Sequence, residues 1–305
     1  AVKNGLDMEF GTWTNGLSKG ASNAYDNYYL AMAYKKGILS GKYTEKELND
    51  KVRRVLRLYF RTTMAKRGHG FLCSEAHYEA AKDIAEEGIV LLQNKGNVLP
   101  LQLNGSKRKK VLVVGENAIK MMTVGGGSSS LKAQHEISPL QGLRDRLKDI
   151  AEVEYERGYV GDTTGNYNGV TTGQDLRDNR SKQQLIADAV AKAKEADYVV
   201  VFGGLNKSNH QDAEGNDRKT YDMPYAQDEL VGALAKANKN VVFVNISGNA
   251  VAMPWKNAVP AIVQGWFIGS EAGKALAAVL CGDANPSGKL PFTWPASLND
   301  VGAHA

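Results

Sequence analysis

The chain reads as an α/β protein, a mostly parallel sheet sandwiched by helices, and three observations predict this. The run 198–202 is continuously apolar and β-branched, the pattern of a strand covered on both faces, and the mainly apolar segments 111–114, 241–246 and 261–266 also read as strands. Between several of them lie longer segments with apolar residues at helical spacing, so the two element types alternate as in βαβ units. Glycine punctuates the strand ends, as at Gly203-Gly204 after the 198–202 run.

Taken in order, residues 23–36 predict a helix from the stripe Tyr25, Tyr28, Tyr29 and Met32. A second helix starts at Thr44, which forms a capping box with Glu47, and Val52, Val55, Leu56 and Tyr59 give it an apolar face. Residues 62–76 lack periodicity. A helix over 77–92, the strand 111–114, a helix over 182–195, the strand 198–202, a helix over 225–238, the strands 241–246 and 261–266, and a helix over 271–280 follow. The stretch 158–180, with Gly, Thr, Asn and Asp, exceeds ordinary loop length and reads as a surface insertion or an active-site flank.

Composition excludes some classes of function. The 305 residues suffice for one large or two ordinary domains. The formal charge is +5, from 38 basic against 33 acidic residues, and the basic residues are scattered apart from Lys107-Arg108-Lys109-Lys110. That cluster precedes a strand and either solubilises its entrance or forms a nucleic-acid patch; the first reading is taken, with no nucleic-acid partner expected. No apolar run approaches the ~20 residues of a membrane span, so no membrane partner is expected. Cys73 and Cys281 permit one disulfide but no framework or zinc site, and the five histidines show no paired ligand spacing, so no metal or cofactor is expected. The chain begins Ala1-Val2-Lys3 without a signal peptide and reads as a piece of something longer.

The loop after 198–202 holds Asn206, His210, Asp212, Glu214, Asp217 and Arg218. Ligands of open α/β sheets bind at the carboxyl ends of strands, so this loop is placed for chemistry; the plain alternative is a solvated polar loop. His210, Asp212 and Glu214 alternate and would point to one side of an extended loop. The tract Gly125-Gly126-Gly127-Ser128-Ser129-Ser130 has neither dinucleotide nor P-loop spacing, which disfavours a nucleotide-binding domain. Ser247, in Asn245-Ile246-Ser247-Gly248-Asn249, lacks both glycines of a nucleophile elbow and reads as a turn residue.

Four segments together carry a resemblance. Ala213-Glu214-Gly215-Asn216-Asp217-Arg218 followed by MPYAQDEL, the N-G-L-D-M-E-F run at 4–10, EEGIVLLQNKGNVLPL at 86–101 and GDANPSGKLPFTWP at 282–295 resemble, in order, motifs of glycoside hydrolase family 3. The resemblance implies the C-terminal remnant of a TIM-like barrel at 1–62, a linker at 63–76 and the α/β sandwich domain at 77–305. It implies retaining cleavage of terminal β-D-glucosides with Glu214 as acid/base, without any cofactor. The family's nucleophile is an Asp in a Ser-Asp-Trp type motif on the barrel, which this chain lacks; Asp7 matches a later, structural Asp.

Trp13, His210 and Asn216 become candidate substrate contacts. Trp13 and Tyr25 stay open between sugar stacking and packing, and His210 between a sugar contact and a loop hydrogen bond. Asp217 and Arg218 could bind substrate, but are expected rather to pair and order the loop around Glu214. The Gly/Ser tract is implied to face the barrel near the sugar site, or else to be a turn-rich surface loop. The partners implied are an oligosaccharide or β-glycoside and the missing barrel segment, in the periplasm or secreted. The alternatives are β-xylosidase-type specificity and a carbohydrate-binding or interaction module without hydrolytic activity.

Overall fold

The apolar runs assemble into one six-stranded sheet. In the computed structural model the described residues are 2–9, 28–123, 125–127, 129–161, 166–167, 170–171, 173–208, 210–214 and 217–304. The strands are β1 (Val90–Asn94), β2 (Lys109–Val114), β3 (Ala151–Glu156), β4 (Asn166–Tyr167), β5 (Val170–Thr171), β6 (Tyr198–Gly204), β7 (Val241–Ile246) and β8 (Ala261–Gln264). The sheet order is β1-β8-β7-β6-β2-β3, while β4 and β5 pair antiparallel with each other. β1 runs antiparallel to β8, and every other neighbouring pair in the large sheet is parallel.

The helices are α1 (Tyr34–Leu39), α2 (Glu45–Arg61), α3 (Glu75–Gly88), α4 (Pro139–Leu147), α5 (Lys182–Ala193), α6 (Gln227–Ala237) and α7 (Ala272–Cys281). Side chains alternate across the central strands because a strand's period is two. Val111, Val113, Val200, Phe202, Val242 and Val244 pack on one face with Leu143, Leu147 and Leu276 of α4 and α7. Leu112, Val114, Val199, Val201, Val241 and Phe243 pack on the other with Ala189 of α5 and Leu230 and Leu234 of α6. Both faces are covered, which is why these strands read as unbroken apolar runs.

Several expected boundaries are corrected. The helix expected over 77–92 ends at Gly88, and the β-branched Ile89-Val90 begins a strand, β1, that pairs with β8. Buried helix and buried strand cannot be told apart by periodicity over so short a run. α4 and β3 were not expected. Yet Ser138 caps α4 and Pro139 occupies its first turn, a legible start signal, whereas β3 alternates charged residues as an edge strand can. The helix expected over 23–36 is displaced: residues 23–27 lie outside the described residues, Ala31 is non-helical, and regular helix starts at Tyr34. In the stretch 158–180, the described residues 173–180 are tied inward, with Gln174 bonding Met121 and Ile119 and with Leu176 buried.

The chain divides into two units, Ala1–Phe71 and Leu72–Ala305. In the first, Thr44 and Glu47 cap α2 reciprocally, as their spacing predicts. Asp7 accepts from Arg54 Nε at 2.6 Å and Nη2 at 2.7 Å, a structural tie. On the apolar face expected of α2, Val52, Leu56 and Tyr59 stay 43%, 45% and 48% exposed, so among the described residues that face is only partly covered.

In the second unit Arg180 binds three carboxylates: Glu156 at 2.7 Å, Asp188 at 2.8 Å and Asp178 at 2.8 Å. The guanidinium holds Asp178 and Asp188 below the ordinary carboxylate range. Burial pushes Glu156 up, but Lys192 and Arg180 more than offset this and leave it lowered. Carboxylates with depressed folded values contribute stability above their unfolded value of about 4, and lose it as pH falls through the folded values. The urea midpoint of the chain should therefore hold from neutral pH to about 5 and drop below about 4. Arg180→Met should lower the neutral plateau and flatten that acid limb; an unchanged limb would remove Arg180 from the account.

Candidate active site

The sheet order places a topological switch point between β2 and β6, because the chain moves to β3 on one side and to β6 and onward on the other. Crevices at the carboxyl ends of the two flanking strands are where open α/β sheets bind ligands. Here those ends are fastened together. Gly115 leaves β2 at φ 115, so close to Phe202 O that a Cβ would overlap it, and only glycine suits both demands. Asn117 Nδ2 donates to Gly203 O at 3.1 Å and Leu205 O at 2.9 Å. Glu116 is fully buried, and accepts from Arg157 Nη2 at 2.7 Å and Gly161 N at 2.6 Å, with Lys120 Nζ 3.5 Å away. Buried charge persists when paired this way.

From this base two loops rise, one after β2 and one after β6, and they meet at Glu214. Glu214 N donates to Gly126 O at 2.6 Å. Gly125 and Gly126 are buried, whereas Ser129 sits in an exposed turn and Ser128 lies outside the described residues, so only the start of the tract is packed structure. A Cβ on Gly126 would overlap Lys207 O and approach Ala213 Cα at 3.1 Å. A Cβ on Gly127, which has φ 134, would overlap Glu214 Cβ and stand 2.6 Å from its Oε2. Gly127 thus offers a bare backbone surface against which this carboxyl side chain lies, while Gly126 packs on the backbone of the β6 loop.

The β6 loop is also braced internally. Gln211 Oε1 accepts from Asn206 N at 2.9 Å, Gln211 Nε2 donates to Tyr225 OH, and Asn206 Oδ1 accepts from Ser208 N at 2.8 Å. Asp212 accepts from Gly248 N at 2.6 Å and Asn249 Nδ2 at 2.8 Å. Burial pushes the Asp212 carboxyl above its ordinary value against the pull of these donors, Arg218 and Lys207. Burial likewise pushes Lys207 down, and its ammonium sits 4.3 Å from the Phe267 ring centre. Both Asp212 oxygens are engaged, which suits a structural carboxylate better than an attacking one.

The sequence-derived candidates fall out unevenly. Glu214 stands at the meeting point of the two loops. His210 is exposed, adopts φ 62, and its Nδ1 lies 3.2 Å from Asp217 O. The segment is therefore not extended, and the alternation of His210, Asp212 and Glu214 does not align them: Asp212 turns inward while His210 faces solvent. Arg218 reaches Asn249 Oδ1 at 2.6 Å and Ala250 O at 2.7 Å, ordering the loop through a neighbouring turn. Trp13, Tyr25 and Asn216 lie outside the described residues. Ser247 Oγ donates to Asn249 O at 2.7 Å, as a turn residue does. Cys73 and Cys281 are free thiols, with Cys281 pushed up to about 11 by burial.

Sequence reasoning missed Asn249, Gln211 and the specific demand for glycine at 126 and 127. Such long-range contacts leave no local pattern.

This architecture defines a doubly wound α/β domain with a carboxylate presented at its switch-point loops. The profile of the Glycosyl hydrolase family 3 C-terminal domain matches residues 89–305. A β-glucosidase of Bacteroides ovatus is 47% identical over 308 residues, spanning 100% of this chain and 40% of its own length. A periplasmic β-glucosidase of Salmonella typhimurium is 31% identical over 321 residues, spanning 99% of this chain and 39% of its own length. Among solved structures, a β-glucosidase of Kluyveromyces marxianus shares the fold with TM-score 0.77 at 24% identity, over 99% of this chain and 51% of its own. The chain belongs to glycoside hydrolase family 3. It spans about two-fifths of the length of these curated relatives. No helix among the described residues is long and apolar enough to cross a membrane.

Proposed function

We propose that this chain supplies the acid/base half of a retaining β-D-glucosidase site, with Glu214 as the proton donor and later the base. The observation that carries this reading is the packing of Glu214 on the glycine surface where the loops of both switch-point strands meet. A retaining glycosidase needs two carboxyl groups ~5–5.5 Å apart. In the first step one carboxylate attacks the anomeric carbon while Glu214 gives its proton to the departing oxygen. In the second step Glu214 takes a proton from water, whose oxygen displaces the enzyme carboxylate from the sugar. These proton transfers and displacements require no cofactor.

The attacking carboxylate is assigned to a part of the protein beyond these residues, on a barrel of which 1–62 is the last portion. The half-exposed Val52, Leu56 and Tyr59 face of α2 is what the rest of that barrel would cover. Terminal β-D-glucosides are proposed as substrates because the relatives are β-glucosidases. Trp13, His210 and Asn216 are proposed to touch the sugar. A periplasmic or secreted location follows the Salmonella relative, and fractionation of cells expressing the whole protein checks it.

The test is where a glycosyl-enzyme intermediate forms. In the protein carrying the rest of the relatives' length, an activated 2-fluoro-β-glucoside should label a carboxylate outside residues 1–305, mapped by peptide mass. The purified 305-residue chain should neither take the label nor hydrolyse an aryl β-glucoside. Label on a carboxylate of this chain, or robust hydrolysis by it, would overturn the divided site.

A further inference from the structure

The brace on the Glu214 loop converges on one side chain that the proposed chemistry does not include. Asn249 donates from Nδ2 to Asp212 Oδ1 at 2.8 Å and accepts at Oδ1 from Arg218 Nη2 at 2.6 Å. Asp212 precedes Glu214 by two positions and Arg218 follows it by four, so a single amide grips both flanks of the segment. Gly248 N adds a second donor to Asp212 at 2.6 Å, and Ala250 O a second acceptor for Arg218 at 2.7 Å.

The turn that carries Asn249 is itself fixed. Asn245, Ser247 and Gln264 are fully buried. Asn245 Nδ2 donates to Ser247 Oγ at 2.7 Å and Gln264 Oε1 at 2.6 Å, and Gln264 Nε2 donates to Ser247 O at 2.8 Å. Ser247 Oγ then donates to Asn249 O at 2.7 Å. A buried polar network of this kind rigidifies what it holds, although Asn245 Oδ1 has no hydrogen-bond partner among the described residues, and it roots the turn in the ends of β7 and β8.

We infer that Asn249 is a positioning residue that ties Asp212 and Arg218, on either side of Glu214, to the end of β7 and so sets where the Glu214 carboxyl stands. An amide is required because the position must donate to a carboxylate and accept from a guanidinium at once. An Asp there would face Asp212 with like charge. An Ala would leave the half-buried Asp212 and Arg218 short of a partner each, which costs more than the bond was worth. The inference concerns loop geometry; its kinetic consequence rests on the acid/base reading of Glu214.

The geometry offers a reciprocal test. Asp212→Asn supplies one acceptor where two donors converge, and Asn249→Asp brings two carboxylates together. The double variant Asp212→Asn/Asn249→Asp restores complementarity. Asn at 212 accepts from Gly248 N and donates to the Asp at 249, whose other oxygen accepts from Arg218, and net charge is unchanged. On the 305-residue chain, each single variant should speed amide hydrogen exchange in peptides covering 206–218 by about 10-fold or more, the loss expected for one charge-assisted hydrogen bond. The double variant should recover most of the protection.

Unchanged exchange in the single variants, or a double variant as loose as either single, would overturn the inference. In the protein carrying the rest of the relatives' length, the singles should lower kcat with KM little changed, more for poor than for activated leaving groups, and the swap should restore it. Exchange that behaves as stated while kcat stays at wild-type level for every leaving group leaves the lock standing and removes Glu214 from acid/base duty.

Discussion

Glu214→Gln, in the protein that carries the rest of the relatives' length, should reduce turnover of β-glucosides with poor leaving groups by roughly 10²- to 10⁴-fold, the usual worth of a positioned general acid/base. The substitution keeps size and hydrogen-bonding capacity but removes the acidic proton and the basic carboxylate. An alkoxide leaving group needs that proton as the glycosidic bond breaks, so glycosylation slows for alkyl glycosides and oligosaccharides. A nitrophenolate departs nearly unaided, so its first step should be spared, and hydrolysis of the glycosyl-enzyme becomes limiting. Azide needs no base to attack, so it should restore turnover of the aryl substrate and release a glycosyl azide. Rates on both substrate types should be recorded with and without azide. Equal losses on the two, without azide rescue, would remove Glu214 from the role.

How much of this was legible in the sequence depended on where each residue's partners lie. β6 and β7 could be read directly because both faces of each are buried, which favours apolar residues along the run, with Asn245 the one polar residue of β7. β1 and β3 sit at the two edges of the sheet, where that pressure relaxes. β3 spends half its positions on Glu, and β1 hid inside what read as the end of a helix. The capping box of α2 was legible because both of its partners lie within one turn. Glu214 could be singled out because it follows the strongest strand signal and lies in a family motif.

What fixes Glu214 was not readable in the same way. His210 was placed beside Asp212 by an alternation that its left-handed backbone breaks. Asn249 lies 37 positions from the Asp212 it holds. In the sequence it stood out for spoiling a nucleophile elbow, because hydrogen-bonding geometry between loops of different strands carries no local periodicity. The glycine tract was visible as low complexity. Its reason, the closeness of another loop's carboxyl, is a tertiary fact.

Gly127→Ala should come close to Glu214→Gln in its effect on poor leaving groups, although residue 127 carries no chemistry. Its added Cβ would overlap Glu214 Cβ and lie 2.6 Å from Oε2, well inside contact distance, so one of the two loops must move. The φ of 134 at this position also disfavours any L side chain, and the backbone strain adds to the displacement. Catalysis tolerates little of this, since shifting a reacting group by about 1 Å can cost on the order of 10²-fold. The neighbouring loop cannot absorb the change cheaply, because Gly126 is packed against Lys207 O and Ala213 and accepts the Glu214 N–H. Strain alone would lower the melting temperature and leave the remaining activity dependent on Glu214. The discriminating measurement is the double variant Gly127→Ala/Glu214→Gln, because two changes acting through one carboxyl do not add. Its turnover of alkyl glucosides should match that of Glu214→Gln alone, with KM little altered. Losses that multiply, or wild-type turnover by Gly127→Ala, would show that the glycine surface does not set the position of this carboxyl.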